Sequence, residues 1–71
     1  MAKYEPDFTE GAKFINETTE ERYVIVGMKY NKEWCDIEYK FQCMRHRFNM
    51  FTIPEAVVSK NLRSGEYTQY E

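Results

Sequence analysis

Tyr23-Val24-Ile25-Val26-Gly27-Met28-Lys29-Tyr30-Asn31-Lys32-Glu33-Trp34-Cys35-Asp36-Ile37-Glu38-Tyr39-Lys40-Phe41-Gln42-Cys43 is the stretch whose pattern decides the fold. Its second half alternates. Cys35, Ile37, Tyr39, Phe41 and Cys43 fall on one face, and Trp34, Asp36, Glu38, Lys40 and Gln42 fall on the other. Successive side chains of a strand point to opposite sides, so the spacing predicts a half-buried strand with an apolar inner face. The first half is rich in β-branched and aromatic residues, which suit a pleated surface. A two-residue loop at Lys32-Glu33 sets Tyr30 against Cys35, Met28 against Ile37, Val26 against Tyr39 and Val24 against Phe41. On the other face Lys29 then meets Asp36, Ile25 meets the stem of Lys40, and Gly27 lies beside Glu38. A slip of one residue exchanges the faces, so the pattern selects this register. Lys-Glu is a poor match to the Asn-Gly chemistry of two-residue loops. A longer loop across Tyr30 to Trp34 is the alternative, and it moves Trp34 to the turn tip.

Around this hairpin the remaining segments are short. Residues 1–10 carry Pro6, scattered charges, Tyr4 and Phe8, and are expected as an extended arm laid over the domain by Phe8. Residues 11–16 form a strand candidate, and Glu17-Thr18-Thr19-Glu20-Glu21 is a polar turn. A Thr-x-x-Glu helix start is present there, but no helical apolar period follows it. Met44-Arg45-His46-Arg47 is a short basic connection, and Phe48 to Ile53 reads as a strand stopped by Pro54. Thr52-Ile53-Pro54-Glu55 suits a helical turn through Val58, because a first-turn N–H has no intrahelical partner for proline to remove. Residues 57–62 are too short a run to separate a helix end from a last strand, and residues 63–71 are expected as a mobile tail.

The expected class is all-β: four to five antiparallel strands with one short helical turn, in a domain over residues 11–62. Small sheets must protect their edges. The order of strand, long hairpin, strand, helical turn and short strand resembles the SH3-like small β-barrels, a group that includes Tudor-type and KOW-type modules. The local likeness is Phe51-Thr52-Ile53-Pro54-Glu55-Ala56-Val57-Val58, similar to the strand, 3₁₀ turn and final strand that close such a barrel. The alternative is α+β, with residues 54–62 as a true helix.

The chain has 71 residues, enough for one small domain. Twelve aromatic residues compensate for a small core, each ring removing on the order of 150–250 Å² from water. Homodimerisation is the other common remedy. The formal net charge is −2, but its distribution is uneven. Residues 1–21 carry two Lys against six Asp/Glu, and residues 22–47 carry six Lys/Arg against three. Cys35 and Cys43 lie eight residues apart on one expected strand, about 26 Å at strand rise, too far for a disulfide. Both are expected as reduced core residues of a cytoplasmic protein. The opening Met-Ala-Lys-Tyr-Glu-Pro has no apolar run behind it, so neither a signal peptide nor a membrane segment is expected.

Enzymatic chemistry has little to stand on. His46 is the single histidine, and Arg45 and Arg47 flank it. Cys43 is three residues away but is expected to point into the core, and a nucleophilic pair needs a thiolate beside its base. Cys35, Cys43 and His46 do not have tetrahedral zinc spacing and lack a fourth ligand. There is no Gly-rich phosphate loop, and no cofactor is expected. What remains is a non-enzymatic binding or regulatory module that meets another protein, or itself, through the outer face of the hairpin. Tyr23, Ile25, Trp34 and Asp36 are the candidate contacts, Trp and Tyr being frequent interface anchors. Trp34, Tyr23 and Asp36 also suggest an aromatic cage for a methylated cation. The alternative is nucleic-acid binding through Arg22, Lys29, Lys32, Lys40, Arg45 and Arg47, with exposed aromatics stacking on bases.

Overall fold

A computed structural model describes residues 8–33 and 35–70. Five strands, β1 (Lys13–Asn16), β2 (Arg22–Asn31), β3 (Asp36–Cys43), β4 (Met50–Pro54) and β5 (Tyr67–Tyr70), and one helix, α1 (Glu55–Ser64), make up the regular structure. The strands form one open antiparallel sheet in the order β4-β3-β2-β1-β5. The fold is therefore mostly β with one short helix, as the pattern predicts. Strands β1 to β4 follow one another as a meander. Strands β4 and β5 sit at opposite edges and run in the same direction, so the chain must return the length of the sheet between them. The ten residues of α1 supply about 15 Å of that return. Of the stretch 63–71, expected as a mobile tail, residues 63–70 instead supply the end of α1 and then β5, which pairs along β1, and residue 71 lies outside the described residues.

The long hairpin is present, but its register differs from the uniform one. Near the turn Met28 pairs with Tyr39 and Tyr30 with Ile37, whereas at the far end Ile25 pairs with Phe41 and Tyr23 with Cys43. A β-bulge at Val26 absorbs the difference. Two residues of β2 then oppose one of β3, and the inward set of β2 switches from odd to even numbers. Tyr23, Ile25 and Met28 accordingly share the inner face, while Val26 is exposed. The loop runs from Lys32 to Cys35, closed by the pair Asn31 and Asp36, so the longer-loop alternative is closer than the two-residue turn. Asn31 Oδ1 accepts the Glu33 N–H at 2.9 Å, and Cys35 adopts a left-handed φ of 50°. Cys35 is thus an exposed loop residue rather than a core one, whereas Cys43 is buried as expected.

Packed on the inner face are Phe14, Ile25, Ile37, Tyr39, Phe41, Val58 and Tyr67, with Phe8, Tyr23, Phe51 and Leu62 around them. Aromatic edges meet faces here: Tyr23 approaches Phe51 at 5.1 Å and 88°, and Phe8 approaches Phe14 at 5.4 Å and 81°. Each such contact adds about 0.5–1.5 kcal/mol beyond burial. Phe8 anchors the incoming chain as anticipated; residues 1–7 of the expected arm lie outside the described residues.

Helix α1 is held at both ends. Pro54 is its N-cap and offers no side-chain acceptor. Asp36 Oδ2, from β3, accepts the Ala56 N–H at 3.1 Å instead. Glu55 opens the helix, 7 % exposed, and accepts a hydrogen bond from the fully buried Tyr39 hydroxyl, which also accepts the Phe8 N–H at 3.3 Å. At the other end Gly65 takes φ 85°, a left-handed conformation that glycine adopts without a Cβ penalty, and its N–H reaches the Leu62 carbonyl.

Candidate binding interface

With α1 and the aromatic core on the inner face, the outer face of the sheet is left uncovered by any element among the described residues. Alternation and the bulge place on it Arg22, Val24, Gly27 and Lys29 from β2, Glu38, Lys40 and Gln42 from β3, and Met50 and Thr52 from β4. At its centre is a shallow groove of about 290 Å³ lined by Gly27, Met28, Lys29, Glu38, Lys40 and Thr52. The groove exists because Gly27 has no side chain opposite Lys40. A Cβ there would stand 3.9 Å from Lys40 Cβ, and Gly27 is not among the positive-φ glycines. Glycine at this position therefore leaves space rather than relieving strain.

The charge on this face is one-sided. Glu38 is 7 % exposed and is already engaged, accepting from Lys29 Nζ at 3.3 Å and from Asn31 Nδ2 at 3.2 Å. Among the described residues, Lys40, Arg45 and Arg47 have no carboxylate within ion-pair distance. Arg22 lies 5.4 Å over the Tyr70 ring, also on the outer face. A second groove, lined by Val24, Gln42, Met44 and Arg47, extends the surface toward the β3–β4 loop. That loop is fixed by main-chain bonds from Cys43 to Asn49 and from Asn49 to His46, and by Gln42 Nε2 donating to the Arg47 carbonyl at 2.9 Å. At its tip Phe48 is 99 % exposed.

The expected contact residues part company here. Ile25 is 1 % exposed and belongs to the core, and Tyr23 packs inward on Phe41, Phe51 and Tyr67. Neither is an outer-face anchor; the bulge at Val26 turned both inward. Asp36 is half-buried and caps α1, so it is not placed for an aromatic cage with Tyr23. Trp34 lies outside the described residues. Of the cations, Arg22, Lys29 and Lys40 share the outer face. Lys32 sits in the β2–β3 loop, and Arg45 and Arg47 in the β3–β4 loop at the opposite end of the sheet. Residue-type reasoning passed over Val24, Gly27, Met50 and Thr52. A glycine inside an otherwise continuous strand was the available signal, since such glycines mark bulges or close approach.

Burial raises the phenol pKa of Tyr23 above its ordinary 10.0, helped by the nearby Cys43 and Glu21. Burial does the same for Tyr67, helped by Tyr23 and Glu66. Cys43 Sγ is buried against Glu21 Oε2 at 3.2 Å, while His46 is exposed in its loop. Among the described residues no group of three or more His, Cys, Asp and Glu gathers to hold a metal, and no helix is long and apolar enough to cross a membrane. No protein-family model matches the chain, and no curated protein or solved structure matches it either.

Proposed function

We propose that this protein is a small non-enzymatic binding module that docks an acidic segment of another protein on the outer sheet face around Gly27. The supporting observation is the groove itself: a side-chain-free floor at Gly27, Lys40 on its wall with no carboxylate within ion-pair distance among the described residues, and Val24 and Met50 beside it. Glu38 is consumed internally by Lys29 and Asn31, so Lys40 is left to meet a carboxylate. Charge complementarity of this kind sets partner choice and encounter rate more than raw affinity. Two free cysteines suit a reducing compartment such as the cytoplasm.

The test is selection from a random peptide display library, followed by NMR titration of the winning peptides. The expected consensus combines Asp or Glu with an apolar residue, and shifts centre on Gly27, Lys29, Lys40 and Thr52. Lys40→Glu and Gly27→Val, both with unchanged circular dichroism, abolish the shifts. Peptides that bind equally well to both variants refute the proposal. A nucleic-acid reading rests on Arg22, Lys29, Lys32, Lys40, Arg45 and Arg47. It predicts salt-dependent binding of single- or double-stranded oligonucleotides in a gel shift. These cations are split between the face and both ends of the sheet, and Glu20 and Glu21 line a groove with Arg22 and Arg45. That interruption is why an acidic protein segment is favoured over a continuous phosphate backbone.

A further inference from the structure

An open sheet has two edges, and here they differ in how they are guarded. Strand β4 runs into Pro54, which has no N–H to offer, and then into α1. Strand β5 is Tyr67-Thr68-Gln69-Tyr70, with no charge, no proline and no bulge. Edges of that composition are templates for another strand, since lysine, proline and bulges are the usual protections. The pairing with β1 fixes which groups are free. The Glu17 N–H donates to the Glu66 carbonyl at 2.7 Å, outside the ladder proper. Hydrogen-bonded pairs recur every second residue in an antiparallel ladder. Ile15 with Thr68 and Lys13 with Tyr70 are then the bonded pairs, and the main-chain groups of Tyr67 and Gln69 point away from β1.

We propose that β5 pairs with β5 of a second copy of this chain, antiparallel about a two-fold axis at Thr68, giving a continuous ten-stranded sheet. In this register Tyr67 faces Gln69 of the second copy and Gln69 faces Tyr67, so four main-chain hydrogen bonds form. A two-fold axis places Thr68 beside itself, where any charge would meet its own sign. The strand carries none. Glu66 of one copy comes opposite Tyr70 of the other, whose ring leans inward from the edge over the sheet with its hydroxyl 3.3 Å from Met44 Sδ. The register is self-complementary, the free main-chain groups of Tyr67 and Gln69 meeting each other across the axis on a strand without charge, and this is what commits the edge to a second copy rather than to an unrelated strand. The contact is independent of the groove at Gly27, two strands away in the sheet order.

Sedimentation equilibrium over roughly 10 µM to 1 mM covers the range a four-bond interface reaches. Wild-type protein is expected to shift from monomer to dimer within it. Thr68 is exposed on the outer face, so Thr68→Lys and Thr68→Glu leave the monomer intact, as thermal unfolding by circular dichroism verifies. Each variant alone weakens association about tenfold or more, because like charges meet on the axis. An equimolar mixture of the two restores it, which a merely damaged fold does not do. The proposal is overturned if wild type stays monomeric throughout. It is equally overturned if either variant associates like wild type, or if the mixture associates no better than the variants alone.

Discussion

Replacing Gly27 by alanine should stabilise this protein, against the usual direction of core-strand substitutions. Glycine inside a strand costs roughly 0.5–1 kcal/mol relative to alanine, because the unfolded chain has more freedom to lose. That saving is realised only where the native backbone and space accept a Cβ. At Gly27 they do: the added atom would meet Lys40 Cβ at 3.9 Å, an ordinary contact, and φ is not in the left-handed region. Gly65→Ala is the control with the opposite sign. Space is open there too, but φ is 85°, and a left-handed backbone costs a residue with a Cβ about 1–2 kcal/mol. Urea unfolding followed by circular dichroism measures both. With a slope of about 1 kcal/mol/M for a domain this small, the Gly27→Ala midpoint should rise by about 0.5–1 M and the Gly65→Ala midpoint should fall by at least as much. A loss of stability in Gly27→Ala would refute the view that this glycine is there to leave room.

Asp36→Ala removes the only side-chain acceptor found at the start of α1 among the described residues, and should cost about 1–2 kcal/mol in the same assay. Asp36→Asn keeps an oxygen and should cost clearly less. Tyr39→Phe takes the hydroxyl from a buried Glu55 carboxylate, so a double-mutant cycle with Glu55→Gln should show coupling of about 0.5–3 kcal/mol; additive losses would deny that the two act as a pair. Thiol titration of the native protein should label Cys35 promptly and Cys43 only on unfolding. Because the folded state holds the Tyr23 and Tyr67 protons more tightly than the unfolded state does, stability should be full below pH 10.0 and fall as pH rises above it. Tyr23→Phe and Tyr67→Phe should each flatten that fall when unfolding at ~pH 8 and ~pH 10.5 is compared; an unchanged slope counts against the buried-phenol assignment.

Strand β3 was legible because its inner and outer residues alternate without interruption from Asp36 to Cys43. Strand β2 was legible as a strand but not in register. Tyr23-Val24-Ile25-Val26 is apolar on both faces, so a bulge inside it changes which side chains go inward without breaking any pattern. The site followed the register. Ile25 and Tyr23 moved to the core, and Val24, Gly27 and Lys40 were left together outside. The tail misled for a different reason. Tyr67 and Tyr70 among polar neighbours read as solvent-bound, yet β1 had a free edge for them to pair with.

The sequence by itself determined a small, aromatic-rich, mostly β chain with a long central hairpin and a helix-compatible step at Pro54. Those properties follow from local periodicity and from proline and glycine chemistry, which neighbouring residues carry. Only the tertiary structure decided the bulge, the trans cap of α1 by Asp36 and the return of the C-terminus to β1. Each depends on a partner at least sixteen residues away in sequence, as Ile25 is from Phe41, Asp36 from Ala56 and Lys13 from Tyr70. A choice among long-range partners is settled by which arrangement buries the aromatic face and satisfies the main chain together, and no single segment holds that information.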